Sequence, residues 1–506
     1  MKIENKKVFC RKIWAVAVIV VLCCCLLPLS SCAGSSLADI GENLSTYTIN
    51  LTFDDGSKTL LGTQKVEYVN NCDTTLDCVE FNLYPNAFRQ GATYSPVALR
   101  YFDTAYPNGF SQGKIDILSV SVNGSSVETK VEGTDENILN VPLADELYPD
   151  DSVDIEMTFE VLLPNCLHRF GYGDNTYNFG NFYPVACVYE NGEFYEENYG
   201  CNGDPFYSDM ANYEVSLSFD DDFVLATSGE KTSEKIENGQ KTVCVSADVV
   251  RDFAFVLSRK FSVLSAKAGE TTVYYYYYDD ENAERSLQTA LNAIQTFSDL
   301  FGEYPYKTFS VAKTNFIHGG MEYPNLVYIS DAVESTSDYL NVIVHETAHQ
   351  WWYNMVGSNA CEYAWLDEGL TEFSTLMFYR YNDGYDVNEQ ESLNASLSSY
   401  ILFSEIYKSV YGDFDSTMTR NVNDFSGDMA YTYVTYVKGV LFFDNLEETV
   451  GKKNFLKALK LYFKQNKYKN ATPDDLISAF EVVTKRNLEG FFSSWVDGKV
   501  ILQNYN

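Results

Sequence analysis

Between about Ser45 and Ser265, apolar residues recur at every second position. "YTINLTF" puts Tyr47, Ile49, Leu51 and Phe53 in phase, and "DSVDIEMTFEV" does the same with Val153, Ile155, Met157, Phe159 and Val161. Successive side chains of a strand point to opposite faces, so this alternation predicts strands with one buried face. In "SVSVNGSSVETKV" two alternating runs flank Asn123-Gly124, a pair that accepts the positive φ of a tight hairpin turn. This part of the chain predicts a large antiparallel β domain. Asp220 to Asp222 read as a solvated turn between strands. Tyr274 to Tyr278 read as a strand that opens a second domain with both faces covered.

After Asp280 the period lengthens. "ERSLQTALNAIQTFSDLFG" places Leu287, Leu291, Ile294, Phe297 and Phe301 on one helical face, with Gly302 as its stop. Strand-like segments follow in "TFSVAKTNF" and "GGMEYPNLVYIS". "STSDYLNVIVHETAHQWWYNMVG" predicts a helix capped by Ser337 or Asp338 and closed at Gly357. Another helix is expected from near Trp365, and the chain then reads as mainly helical to "FFSSWVDGK".

Composition is that of a folded protein, with 45% hydrophobic and 21% charged residues. The net charge of -35 excludes nucleic acid as an expected partner, because phosphate binding needs basic patches. The start differs from the rest. Lys2, Lys6, Lys7, Arg11 and Lys12 precede an unbroken apolar run, Ile13 to Leu27, and then "PLSSCAGSS". That order is an export signal, and the run falls short of the ~20 residues that span a bilayer. "LSSC" resembles the lipobox of bacterial lipoproteins, which implies lipidation of Cys32 and a lipid anchor outside the cytoplasm at a bacterial membrane. The alternative is an uncleaved anchor. The expected organisation is a signal peptide over residues 1–31, a linker over 32–44, a β domain over 45–265 and a catalytic domain over 266–506. Seven cysteines follow Cys32. Cys72 with Cys78 and Cys187 with Cys201 are the nearest pairs for disulfides, and small buried hydrophobes are the alternative.

The chemistry concentrates in "VHETAHQWW". The chain has four histidines, and two of them, His345 and His349, stand four apart. On a helix that spacing puts both on one face, where they can grip a single ion. Glu346 is rotated ~100° from His345, beside the ion but not on it, where it can take a proton from water. A catalytic zinc takes a third protein ligand and keeps a position open. "WLDEGLTEF" supplies Glu368, and one turn further on Glu372 is either a supporting group or a surface residue.

H-E-x-x-H, then eighteen residues, then E within W-L-x-E-G resembles the aminopeptidase N family of gluzincin zinc metallopeptidases. "GGMEYPN" is similar to the family's G-x-M-E-N motif, "YVKG" to its Y-x-K-G motif, and "GDPFYSDMANYEVSLSF" to the end of its N-terminal β domain. Tyr323 and Asp367 depart from it, standing where the family usually or often has Asn. The resemblance implies a saddle-like β domain followed by a thermolysin-like, mainly α catalytic domain with one Zn2+ per chain. It implies peptides as substrates and Glu346 as the base. Tyr436 becomes the donor to the oxyanion, and Glu322 the group that holds the substrate's free amine. Gly319, Gly320 and Met321 would lie along the bound peptide. Two alternatives stand beside an aminopeptidase. One is a zinc oligopeptidase, endopeptidase or non-peptide hydrolase on the same site. The other is a non-catalytic surface binding lipoprotein. Eleven residues follow Trp495, which leads to the expectation of no closing helical domain, an open cleft and tolerance of long peptides.

Overall fold

A computed structural model describes residues 36–503, so Cys32 and the run Ile13 to Leu27 lie outside the described residues. Among the described residues, 36–42 belong to one unit and Asn43 onward to another. In the first, where a linker is expected, Leu37–Gly41 forms a short helix. Its capping box is reciprocal: the Asp39 N–H donates to Ser36 Oγ, and the Ser36 N–H donates to Asp39 Oδ2.

The second unit begins with an eight-stranded sheet. Its first two strands, Ser45–Asp54 and Thr59–Val69, bury alternate residues, as the period-two pattern requires. They pair antiparallel, Tyr47 opposite Val66 and Leu51 opposite Gly62. The Asn123-Gly124 hairpin is present, with φ of 49° and 75° at those residues. One pairing differs from the antiparallel expectation. Ser45–Asp54 lies parallel to Ala211–Asp220, with Tyr47 beside Tyr213. Alternation specifies which face is buried and is blind to the direction of the neighbour. Two four-stranded sheets and the two-stranded hairpin Tyr189–Phe194 complete this part. The Asp220 to Asp222 turn is anchored by Arg259, which reaches Asp220 and Asp222 as well as Asp55.

A five-stranded mixed sheet follows, in the order Ser262–Ala268, Thr271–Tyr277, Thr308–Thr314, Leu326–Ser330, Gly320–Met321. The tyrosine run is thus its second strand, and the sheet opens one strand earlier than expected, across position 265. Gly320–Met321 is the edge and pairs antiparallel with Tyr328 and Ile329. The helix Ala283–Leu300 runs between two parallel strands, and its C-cap is Phe301, one residue before Gly302. Helices then dominate to Val496.

The helix that carries His345 spans Thr336–His349. Its cap is Ser335, whose hydroxyl accepts the Asp338 N–H, rather than Ser337 or Asp338. It does not continue as an α-helix to Gly357. A π-helical turn takes over at Gln350–Met355 and a short strand follows at Val356–Ser358. Arg251, from the β part, is fully buried against that turn. It donates from Nε to the carbonyls of Tyr353 and Asn354, at 2.8 and 2.9 Å, and from Nη1 to that of Ser208. Trp351 and Trp352 anchor the same turn, donating to the Gly302 carbonyl and to Ser374 Oγ. Among the described residues the seven cysteines are all free thiols, with Cys166, Cys187 and Cys361 buried. The sequence-adjacent pairs form no bond.

Candidate active site

Three donor atoms converge at the end of this helix. His349 Nε2 lies 3.1 Å from His345 Nε2 and 3.2 Å from Glu368 Oε2, and His345 Nε2 lies 3.3 Å from the same oxygen. Ligands ~2.0–2.1 Å from a tetrahedral zinc stand ~3.3 Å apart, so the set has the spacing of zinc ligands. The chemistry of the donors agrees: two imidazoles and a carboxylate are a hydrolytic zinc set. The i, i+4 spacing supplies the two histidines, and a second π-helical turn, Trp365–Gly369, supplies Glu368. A third, Tyr433–Val437, supplies Tyr436. Such turns shift a side chain out of α-helical phase and recur at functional sites. Residue spacing alone does not reveal them.

The far nitrogen of each histidine faces a carboxylate. Asp367 Oδ1 stands 2.7 Å from His349 Nδ1, and Glu372 Oε1 stands 3.4 Å from His345 Nδ1. A proton held at Nδ1 leaves Nε2 free to ligate. Glu372 lines the cleft within ion-pair distance of His345 and is not a free surface residue, and Asp367 holds the His349 ring. The sequence signal for Asp367 was its place directly before Glu368. Tyr436 donates its O–H to the other oxygen of Glu368 at 2.5 Å, and its ring stacks against His345.

Glu346 lines the same cleft, and its Oε2 is buried without a hydrogen-bond partner. Burial pushes its carboxyl up to about 7, against the opposing pull of His345 and His349. Glu322, at the end of the sheet-edge strand, is similar. It is 3% exposed, its Oε1 has no partner, and burial followed by the charge of Asp204 pushes it well up. Two buried oxygens left without donors are an arrangement that awaits a ligand. Gln350 sets the distance between Glu322 and the histidines. Its Nε2–H donates to the Tyr323 carbonyl at 3.1 Å, and its Oε1 accepts the Asn325 N–H at 2.9 Å.

Gly319, Gly320 and Met321 sit where the edge strand meets the cleft, with both glycines lining it and Met321 fully buried. Gly320 is small for a reason within the protein. A Cβ there would stand 2.5 Å from Cδ and 2.6 Å from Cγ of Glu346. Tyr323 points the other way. It is fully buried and donates to Asn181 Oδ1 at 2.7 Å, and Asn181 in turn donates to Asp252. Its departure from the family's Asn changes the packing behind Glu322 and not the cleft lining. Sequence reasoning missed Arg169 and Asp204, a buried ion pair from the β part that also lines the cleft.

Comparison with known proteins finds likenesses that agree with this geometry. The profile described as "Peptidase family M1 domain" matches residues 285–495. Aminopeptidase N of Lactococcus lactis subsp. lactis is 24% identical over 354 residues, 64% of this chain and 40% of that protein. Leucine aminopeptidase 2 of Ajellomyces capsulatus is 31% identical over 216 residues, 42% of this chain and 32% of that protein. This chain thus spans less than half the length of these relatives. Among solved structures, an M1 zinc metallopeptidase from Deinococcus radiodurans superposes with a TM-score of 0.65 at 17% identity. The match covers 91% of this chain and 95% of that one, a likeness of fold.

Proposed function

We propose, from the premise that residues 285–495 are a Peptidase family M1 domain of the aminopeptidase N-like family, that this protein is a zinc aminopeptidase. It removes residues from the N-terminus of peptides. One observation carries the reading: three donor atoms at zinc-ligand spacing share a cleft with the unpartnered buried oxygens of Glu346 and Glu322.

His345, His349 and Glu368 would hold the ion. The chemistry a zinc ion supplies when bound is Lewis acidity, which polarises the scissile carbonyl and lowers the pKa of the attacking water. Glu346 takes the water's proton at Oε2 and passes it to the leaving amine. Glu322 accepts the substrate's α-ammonium at Oε1, where a charge-assisted bond re-ionises the carboxyl and fixes cleavage at the first residue. Tyr436 turns its O–H from Glu368 to the developing oxyanion. The peptide main chain lies along the open edge of Gly320–Met321 as an added strand.

The division into a β domain and a catalytic domain belongs to the same proposal, with the boundary expected at 265 moved to between Ser258 and Ser262, because Ser262–Ala268 already pairs into the second sheet. So does anchoring by a lipid on Cys32, supported by "LSSC" after the apolar run. No helix among the described residues is long and apolar enough to cross a membrane.

Aminoacyl fluorogenic substrates, assayed with and without a zinc chelator, test the activity. The expected result is chelator-sensitive release of single N-terminal residues, and a Glu346→Gln variant that keeps its zinc but loses nearly all turnover. A zinc-loaded variant with a near-normal rate would sink the mechanism. Internal cleavage of amino-blocked peptides would replace the aminopeptidase reading. For the anchor, Cys32→Ala should move the protein to the soluble fraction and abolish fatty-acid labelling. Unchanged membrane retention would mark the apolar run as a plain anchor.

A further inference from the structure

The cleft is lined by six carboxylate side chains and two guanidinium groups, Arg169 and Arg100. Arg169 is committed. It is buried, paired with Asp204 and covered by the rings of Phe206 and Tyr199. Arg100 is not. Its side chain is 41% exposed, and it makes one ion pair, with Asp428, whose Oδ2 lies nearest its Nε. Among the described residues, its two Nη groups donate to nothing.

Its position is nonetheless built. The guanidinium lies over the Tyr101 ring at 4.6 Å. Tyr101 meets His318 edge-on at 5.8 Å, and His318 meets His168 at 5.3 Å. His168 packs against Phe88 in the core. Burial and the Arg169 charge keep both histidines neutral, with His318 pushed down to about 3. Arg100 therefore stands at the end of an uncharged aromatic column and is not a free surface side chain. The pair it makes joins the turn Leu99–Tyr101 of the β part to the start of Asp428–Thr432, the segment that leads into Tyr436. The cleft expected to stand open thus has an ion pair between its two sides.

We propose that Arg100 binds the C-terminal carboxylate of short peptides, so that the enzyme prefers di- and tripeptides with a free terminal carboxylate. This deepens the aminopeptidase reading and rests on it. A short peptide carries an ammonium at one end and a carboxylate at the other. Glu322 suits the first. Away from the metal site the cleft is lined largely with acids, and there Arg100 is the cation with unused donors for a carboxylate. The guanidinium fork holds two carboxylates at once, Asp428 through Nε and the substrate through Nη1 and Nη2. The cavity, about 420 Å³, lies at the small end of ligand sites, ~300–1,000 Å³.

The experiment compares kcat/KM on trialanine with that on trialanine amide, for the wild-type enzyme and for Arg100→Gln. Alanyl-aminomethylcoumarin, which has no carboxylate, serves as the control. A charge-assisted pair of this kind corresponds to about a ten- to hundredfold preference for the free acid. In Arg100→Gln the preference should vanish through the free acid alone, with the amide and the coumarin substrate within about twofold of wild type. Equal wild-type rates on acid and amide overturn the proposal, and so does a variant that loses both equally. Absence of wild-type activity on all three substrates instead defeats the aminopeptidase reading beneath it.

Discussion

Replacing Gly320 by alanine tests the geometry of the base with the smallest possible change. The added Cβ would lie 2.5 Å from Cδ and 2.6 Å from Cγ of Glu346, where ordinary contacts begin at 3.4 Å. The Glu346 side chain must withdraw by about 1 Å, a displacement that costs ~10²-fold in rate when it moves a reacting group. That is ~2.7 kcal/mol of activation free energy. The fold bears little of it, because the neighbour that moves is a side chain and not backbone, and Gly320 has no positive φ that alanine would strain. The three nearest atoms all belong to Glu346 and none to His345, His349 or Glu368, so zinc content should be unchanged. Gly319→Ala is the matched control. Its Cβ would meet nothing closer than Val342 at 3.6 Å, and kcat should stay within about twofold. The assay measures kcat and KM on alanyl-aminomethylcoumarin, with bound zinc by mass spectrometry and Tm by calorimetry. A fall of ~10² in kcat at normal zinc and Tm is expected. A Gly320→Ala enzyme with wild-type kcat would refute the placement of Glu346 against the edge strand, and so would a loss shared equally by Gly319→Ala.

Other consequences follow from the groups around the ligands. Asp367→Ala removes the carboxylate acceptor for His349 Nδ1, leaving the weaker Thr371 hydroxyl at 3.2 Å, and should weaken zinc binding ~10–100-fold in chelator competition, while Asp367→Asn, whose amide oxygen can accept the same proton, should stay close to wild type. Tyr436→Phe should lower kcat ~10²–10³-fold with little change in KM, and an unchanged kcat would assign the oxyanion to another donor. Tyr323→Phe leaves Asn181 Oδ1 buried without its donor and should cost ~1–3 kcal/mol in urea unfolding, with KM affected less than stability. Burial pushes Asp252 up to about 7, although Tyr183 and the Phe253 N–H donate to it. Unfolded Asp titrates near ~3.9, so the native state holds a proton that the unfolded state releases, and this contribution to stability is present below ~4 and is lost as pH rises towards 7. Asp252→Asn should flatten the dependence of the urea midpoint on pH between about 4 and 7, and an unchanged slope would show that Asp252 is already ionised in the native state.

The local features were legible because local geometry alone produces them. Strand alternation names the buried face of Ser45–Asp54 whatever lies beside it. The i, i+4 spacing puts His345 and His349 on one side of any helix, so the metal pair could be read before the fold was known. Glu368 came from the need of a catalytic zinc for a third ligand on a neighbouring element, whereas Glu322 and Tyr436 came through motif resemblance, since nothing in their spacing alone singles them out.

Tertiary packing decided the rest. The parallel partner of Ser45–Asp54 lies more than 150 residues along the chain, and no local pattern encodes that choice. The three π-helical turns arise where helices must fit one another around the site, which shifts Glu368 and Tyr436 out of the phase a regular helix would give. Asp367 and Glu372 gained their roles only when their helix packed beside the first, bringing each within reach of a histidine nitrogen. Arg251, Gln350 and Arg100 read in sequence as ordinary polar residues. Each acts through a partner distant along the chain or from another element, and burial or a shared cleft selects that partner because an unpaired polar group there is costly. The sequence by itself determined which side chains could bind a metal and move a proton. Only the folded chain decided which oxygens were left unpartnered around them, because desolvation and partnership are properties of a packed surface and not of a residue.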